Sequence, residues 1–140
     1  MAGSTNPIFV SAAITTITAV VTGANTATDG TGTVSTVLTA GANGALVKEI
    51  RFKAQGTNSA TVARIFLNNG SSNATATNNS LIGELSMSAT TASNSVAIGP
   101  DFSYPFATPG LFMPSGYKLN VCYGTAGAGG IIATGIGGDL

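Results

Sequence analysis

The chain has 140 residues, a length typical of one domain, of which 44% are hydrophobic and only 7% are charged. Five basic residues balance five acidic ones, and this neutrality excludes the polybasic surface that nucleic acids or anionic lipids attract. So few charges protect a surface poorly against association, which predicts a protein that works within an assembly. An ordinary domain with a surface rich in threonine and asparagine is the alternative.

Cysteine usage and hydropathy indicate where such a chain would fold. With Cys122 as the one cysteine, no disulfide framework is predicted, and we expect this thiol to be buried in a strand. The sequence has no apolar run of about 20 residues and no N-terminal pattern of a secretory signal. We therefore expect no membrane span, and folding in a cytoplasm.

Strand and turn signals alternate along the chain, and no segment has a convincing helical pattern. The predicted strands cover 8–22, 33–39, 45–55, 61–68, 80–89, 93–98, 111–125 (as a hairpin) and 131–136. About eight short strands at this spacing predict an all-β, antiparallel β-sandwich of the jelly-roll or Greek-key kind. Residues 1–22 would be an N-terminal arm or first strand, and residues 23–140 the single sandwich domain.

The N-terminal segment is rich in β-branched residues, which favours extended structure. No hairpin partner follows it, and an unpaired strand of this kind can pair with the sheet edge of a neighbouring subunit. We therefore predict that it contacts other subunits or a protein lattice. The residues predicted to make this contact are Ile8, Val10, Ile14 and Ile17.

The strand at 45–55 carries much of the charge of the chain. Its predicted inward residues are Leu46, Ile50, Phe52 and Ala54, and its predicted outward residues are Glu49, Arg51, Lys53 and Gln55. Mixed charges on one face are typical of a half-buried antiparallel strand with a solvated side. Lys48 interrupts the alternation near the start, and Gly83 in a later strand predicts a bulge.

The segment 111–125 has the clearest strand pattern. Pro114, Ser115 and Gly116 predict a tight turn with positive φ at the glycine. After the turn the residues alternate, and those sharing the apolar face are Tyr117, Leu119, Val121 and Tyr123. We predict a hairpin here.

Two other segments are candidates for binding. Phe102, Tyr104 and Phe106 lie among prolines, which predicts an irregular, edge-like segment. These rings would pack on the core or at a subunit interface, or form a platform for stacking sugars. The loop at 69–79 is long for a compact domain, and such loops are often functional or disordered.

No pattern for catalysis or metal binding occurs. The chain has no histidine, which removes the common nucleophilic triads and most zinc sites. The acidic residues are scattered, and Glu49 and Glu84, the one conceivable glycosidase pair, are predicted on outward faces. Asp29-Gly30 lacks EF-hand spacing, and the glycines of 124–130 lack a phosphate-loop motif. We predict no enzyme, no cofactor and no metal.

Three pieces of the sequence resemble small virion proteins of tailed bacteriophages. Thr39–Gly44 is similar to the entry T-x-G-x-x-G, and Arg64–Asn68 to the strand R-L-F-L/I. The segment 113–119, MPSGYKL, is similar to L-P-x-G-Y-x-L, with Met113 in the place of the first leucine. The resemblance covers about residues 33–125.

The resemblance implies a β-sandwich structural protein of the virion, often a capsid decoration (cement) protein and frequently a trimer. The implied partners are copies of the chain and the major capsid protein or other virion proteins, without nucleic acid or membrane. A tail, neck or fibre component with the same sandwich is the first alternative. A carbohydrate-binding module using Tyr104 and Phe106 is the second.

Overall fold

A computed structural model gives the fold of residues 23–99 and 101–140, and the backbone of residues 12–17. The strands of this part of the chain are β1 (Ala12–Ile17), β2 (Ser35–Thr39), β3 (Ala45–Ala54), β4 (Thr61–Asn68), β5 (Asn79–Met87), β6 (Phe102–Pro105), β7 (Leu111–Met113), β8 (Lys118–Tyr123) and β9 (Ile131–Asp139). One turn of 3-10 helix, Ala76–Asn78, precedes β5. The predicted all-β class is confirmed.

The strands form two antiparallel sheets. Sheet A has the order β1-β9-β3-β6, and β7 also pairs with β3. Sheet B has the order β2-β8-β4-β5. Because β6 and β7 lie one after the other along β3, the sandwich has eight strand positions. This order, in which the chain changes sheet at most connections, is that of a jelly roll, one of the two predicted topologies.

The core lies between the two sheets and follows the alternation of their strands. Ile50 and Phe52 of β3 face Ile65 of β4 and Leu119 and Val121 of β8, all 0–1% exposed. The predicted inward face of β8 is therefore confirmed. Its last inward residue, Tyr123, places its ring edge-on to Phe52, with ring centroids 6.3 Å apart, a favoured geometry for aromatic pairs.

The predicted hairpin at 111–125 is wrong, although its turn is confirmed. The amide of Tyr117 donates to Pro114 O at 3.2 Å, and Gly116 has a φ of +75°. However, β7 pairs with β3 in sheet A whereas β8 pairs with β2 and β4 in sheet B. The turn thus carries the chain across the sandwich, because the inward residues on its two sides cover the core from opposite faces.

The prediction that the N-terminal segment has no partner in the chain is also wrong. Its described part, β1, pairs antiparallel with β9 from Ala12↔Asp139 to Ile17↔Thr134. The partner strand lies at the other end of the sequence, so no local pattern indicates it. β1 is the edge strand of sheet A.

Three local predictions need correction. Residues 93–98 form bends rather than a strand. The pairing of β3 with β9 shifts between Val47 and Glu49, a β-bulge at the interrupting Lys48. Because of this bulge, Ala45 and Val47 face the core, and Leu46 faces outward instead of inward. The last strand runs to Asp139 rather than ending at residue 136.

The bulge predicted at Gly83 is present, since the pairing of β4 with β5 shifts beside this residue. Gly83 also makes room for an aromatic ring of the other sheet. A Cβ at this position would overlap the ring of Tyr104.

Loops cover the outer face of sheet B. Asn25 is buried, and its side-chain amide donates to Thr31 O at 2.9 Å and to Thr33 O at 2.8 Å. The carbonyl of Asn25 accepts a hydrogen bond from Arg64 Nη1 on β4. The long loop at 69–79 is attached to this first loop, because Asn73 donates to Gly32 O at 2.9 Å. Outward residues of sheet B, such as Phe66 at 0% exposure, are buried as a result.

A second buried asparagine, Asn58, joins three segments. Its side-chain amide donates to Gly56 O at 3.0 Å and to Gly130 O at 3.2 Å, and its oxygen accepts from the Gly129 amide at 2.9 Å. Its backbone exchanges hydrogen bonds with Thr90 in both directions. Asn25 and Asn58 thus each hold several backbone segments through one buried side-chain amide.

Truncating the inward residues of β8 tests the register of the core. Leu119→Ala and Val121→Ala are each expected to lower the free energy of unfolding by about 2–4 kcal/mol, because both side chains are fully buried. Urea denaturation measures this change. Ser103→Ala, at an exposed position of β6, is the control and should change stability by less than about 0.5 kcal/mol. Equal midpoints for all three variants would contradict the register.

The crossing turn offers a second test. A Cβ at Gly116 would meet no atom within 4 Å, so the cost of Gly116→Ala comes from the positive φ alone. We expect a loss of about 1–2 kcal/mol. Thermal unfolding of Gly116→Ala measures this loss of stability. Ser115→Ala, at the neighbouring exposed position, is the control. An unchanged melting temperature for Gly116→Ala would show that this backbone conformation carries no strain for an L-residue.

Candidate interaction surface

The outer face of sheet A is the principal open surface of the described chain. It carries apolar side chains that do not pack against the core. Leu46, Ile132 and Ile136 are partly exposed, and Phe112 is 52% exposed. On sheet B, the loops at 23–34 and 69–79 are attached across the outer face, and Leu81 of β5 is the large apolar residue that stays exposed, at 41%.

Strand register places these residues in two parts of the face. Phe112 of β7 lies opposite Leu46 of β3, and on the other side of β3 Ile136 lies opposite Glu49. Directly paired residues of an antiparallel sheet point to the same face. Leu46 and Phe112 therefore form the apolar end of the face, whereas Ile136 and Ile132 lie beside the charged residues Glu49 and Lys53 of β3.

The charges of this face neutralise each other. Arg51 Nε donates to Glu49 Oε1 at 2.8 Å, and Lys53 Nζ donates to Asp101 Oδ1. The hydrogen bond from Lys53, together with its positive charge, lowers the pKa of Asp101. Exposed ion pairs contribute only about 0–1 kcal/mol each. Because each pair is neutral, these four residues add no net charge to the face.

A depression of about 490 Å³ lies in the charged part of the face. It is lined by Arg51, Phe52, Lys53, Asp101, Thr134 and Ile136. A pocket of this kind can accommodate a side chain of a partner.

The face has no arrangement typical of catalysis. Glu49 and Glu84 lie on different sheets, and each is paired with an arginine, Arg51 and Arg64 respectively. Among the described residues, no group of three or more histidine, cysteine, aspartate or glutamate side chains could hold a metal ion. Within residues 23–99 and 101–140, no helix is long and apolar enough to cross a membrane.

The aromatic segment faces the core side of sheet A. Phe102, Tyr104 and Phe106 are partly buried against the core, and Tyr104 and Phe106 stack edge-on at 5.6 Å. The hydroxyl of Tyr104 donates to Ile82 O of β5, 3.2 Å away. These rings close one side of the sandwich, in agreement with packing on the core rather than with an open sugar platform. Their assignment to a subunit interface stays a prediction.

The predicted contact residues of the N-terminal segment are only partly placed. Ile8 and Val10 lie outside the described residues. Ile14 is paired with Gly137, and Ile17 with Thr134, both within sheet A. Their role in assembly stays a prediction.

The sequence analysis missed the residues that form the open face. They are Leu46, Phe112, Ile132 and Ile136. The alternation of Ile132, Thr134 and Ile136 was a signal for one face of a strand, but the sequence does not say which face is covered.

Two titratable groups are buried away from this face. Cys122 is buried as predicted, beneath Asn25, and burial raises the pKa of its thiol. Burial also raises the pKa of the Tyr123 hydroxyl, which finds no hydrogen-bond partner among the described residues. An unpaired buried hydroxyl destabilises a fold.

We compared the chain with known proteins. No protein-family model, no curated protein and no solved structure matches it.

The hydroxyl groups of Tyr123 and Tyr104 should contribute differently to stability, and removing each one in turn tests this. Tyr123→Phe should be neutral or stabilise the fold by up to about 1 kcal/mol, because it removes an unpaired buried group. Tyr104→Phe should destabilise by about 0.5–1.5 kcal/mol, because it removes the hydrogen bond to Ile82 O. Urea denaturation at pH 7 measures both changes, and a clear destabilisation by Tyr123→Phe would contradict this difference.

The same variant has a pH signature. Since the pKa of Tyr123 is raised in the folded state, the unfolded chain loses this proton first, at about pH 10. The fold should therefore lose stability above pH 10 by up to about 1.4 kcal/mol per pH unit from this group, and Tyr123→Phe should lose less.

Proposed function

We propose that this chain is a non-enzymatic structural protein that binds a protein lattice through the outer face of sheet A, as a capsid decoration protein does. The observation that carries the proposal is this open face, with its apolar end around Phe112 and its internally paired charges. Contiguous apolar surface on a chain with few charges is typical of an interaction site.

The character of the face fits a permanent contact. Burying Phe112 and Leu46 would remove apolar area from water, which drives association. The pairs Glu49–Arg51 and Lys53–Asp101 need not be broken on binding, because each charge already has its partner within the face. Binding should therefore change little with salt.

The sequence resemblance supports the virion as the location. Its pieces fall on the framework of the sandwich: Thr39–Gly44 joins β2 to β3, Arg64–Asn68 lies in β4, and 113–119 carries the chain between the sheets. The jelly roll occurs in viral capsid domains and in lectins, although a fold alone does not fix a function. The proposal includes a homo-oligomer, with a trimer favoured, and the major capsid protein as partner.

A tail, neck or fibre component would use the same face on another lattice. The carbohydrate-binding alternative receives less support, because Tyr104 and Phe106 are partly buried against the core.

The proposal is tested on virions of the phage that encodes the chain. We expect mass spectrometry to find the protein in purified particles, and electron microscopy to find it on the capsid. Phe112→Asp should abolish incorporation, because it places a charge in the apolar end of the face. Val96→Asp is the matched control, since Val96 is also an exposed apolar residue, at 70%, but lies in the loop at 88–101.

Each result bears on the proposal. Incorporation of Val96→Asp but not of Phe112→Asp supports the face of sheet A. Normal incorporation of Phe112→Asp overturns this face as the contact. Particles without the protein overturn the virion function, and protein found only on tails favours the tail component.

A further inference from the structure

The chain contains two Asn-Gly steps, Asn43-Gly44 and Asn69-Gly70, and both asparagines are exposed in loops. In such a step the backbone nitrogen of the glycine can attack the side-chain amide carbon of the asparagine, because glycine has no Cβ to hinder the approach. The two sites share this chemistry. A difference between their reactivities in the folded protein therefore depends on what holds each site in place.

Three hydrogen bonds hold the Asn69-Gly70 step. Asn69 Oδ1 accepts from the Ser71 amide at 3.1 Å, and Asn69 Nδ2 donates to Asn78 Oδ1 at 3.2 Å. The amide of Gly70, which would be the nucleophile, donates to Asn68 Oδ1 at 2.9 Å. Asn68 is itself fully buried. The attacking nitrogen and the side-chain amide that it would attack are thus each fixed to another group.

The Asn43-Gly44 step is held more weakly. Ala42 and Asn43 are the exposed central residues of the turn that joins β2 to β3. The Gly44 amide donates to Gly41 O at 3.1 Å, which closes the turn. The side chain of Asn43 makes no hydrogen bond to the described residues. One hydrogen bond therefore restrains the attacking nitrogen, and exposed turns open locally at a low cost in free energy.

The fold requires the glycine of this step but not the asparagine. Gly44 has a φ of +91°, and a Cβ at this position would lie 2.6 Å from Met113 O. A residue with a side chain is therefore strained here. The φ of Asn43 is not positive, so other L-residues fit its backbone. The reactive step thus depends on the side chain at position 43, which a substitution can remove without disturbing the turn.

We propose that Asn43 is a site of spontaneous deamidation. The Gly44 nitrogen loses its proton to hydroxide and forms a bond to Cγ of Asn43. The Cγ–Nδ2 bond breaks, the departing nitrogen takes up a proton from water and leaves as ammonia, and a five-membered succinimide ring remains. Water then adds to either ring carbonyl and breaks its bond to the ring nitrogen, which gives aspartate or isoaspartate at position 43. No atom is oxidised or reduced.

Both products change the molecule beside the interaction face. Each adds a negative charge to a chain in which five acidic residues balance five basic ones, and isoaspartate also inserts a methylene into the main chain. Gly44 lies closely against Met113, which follows Phe112 in β7, so the charge arises near the apolar end of the face of sheet A. We therefore expect deamidation to weaken binding through this face. This consequence rests on the proposed function, whereas the reaction itself does not.

The test follows both sites in one sample of the full chain. The purified protein is kept in mildly alkaline buffer, and portions are digested with trypsin over time. Trypsin cuts after Lys48 and Arg64, so the two asparagines fall in different peptides. Mass spectrometry with electron-transfer fragmentation then assigns aspartate and isoaspartate at each position. Asn69 should convert at least about tenfold more slowly than Asn43, because more hydrogen bonds must open.

Three controls assign the difference to the fold. Synthetic peptides of residues 40–47 and 66–73 should convert at similar rates, and so should the two sites of the full chain in urea. Asn43→Ser should yield no product at position 43 and leave the slow rate at Asn69 unchanged, with thermal unfolding reporting that the variant is folded. A mildly acidic buffer should slow the conversion of Asn43, because the Gly44 nitrogen must lose its proton.

Each outcome supports or overturns a stated step. Faster conversion of Asn43 in the folded chain, with similar rates in the peptides, supports the proposal. Faster or equal conversion of Asn69 in the folded chain overturns it, and so does an intact Asn43 after the 40–47 peptide has converted fully. These digests need no particle, so a failed virion experiment leaves their result intact.

Asn43→Asp tests the consequence for binding, since it adds the charge without the extra methylene. It should lower incorporation into virions relative to Asn43→Ser. Equal incorporation of the two variants overturns the effect on the face of sheet A and leaves the deamidation of Asn43 standing.

Discussion

Buried asparagine side chains hold the loops of this sandwich in place, and the accessibility of each face depends on them. A loop must satisfy its backbone amides and carbonyls, and a chain with ten charged residues has few ions available for that purpose. Asn25 and Asn58 instead donate to the carbonyls of their own loops and of neighbouring segments. A primary amide both donates and accepts, so one side chain can join several strands of backbone without an uncompensated charge.

This arrangement makes the two sheets different. The loops attached through Asn25 and Asn73 lie across sheet B, where they bury Phe66 and Cys122 on the side away from the core. On sheet A, the described residues leave Leu46 and Phe112 open. Among the described residues, an interaction face therefore arises where no loop lies across the sheet. We propose a partner for this face on this basis.

Sequence patterns within a few residues correctly predicted the structural features that depend only on residues close in sequence. The turn at Gly116 and the buried face of β8 follow from proline, glycine and alternation within a few positions. That turn could join two paired strands in a hairpin or carry the chain from one sheet to the other, and the same sequence pattern fits both. The outcome depends on which strands lie beside β7 and β8. The outward position of Leu46 depends on a bulge, and the exposure of Phe112 depends on what covers sheet A. The neighbours of each strand, the bulge and the covering of sheet A are properties of the assembled sandwich.

The position of β9 affects how the chain is made. This strand lies between β1 and β3 at the centre of sheet A, yet it leaves the ribosome after every other strand described here. Sheet B can form once Tyr123 has been synthesised, whereas β1 and β3 then still have unpaired edges facing the gap that β9 will fill. Such edges pair readily with strands of other chains. The interval between synthesis of β8 and of β9 is therefore when a nascent chain is most exposed to mispairing, and chains that stop short of β9 would retain these open edges.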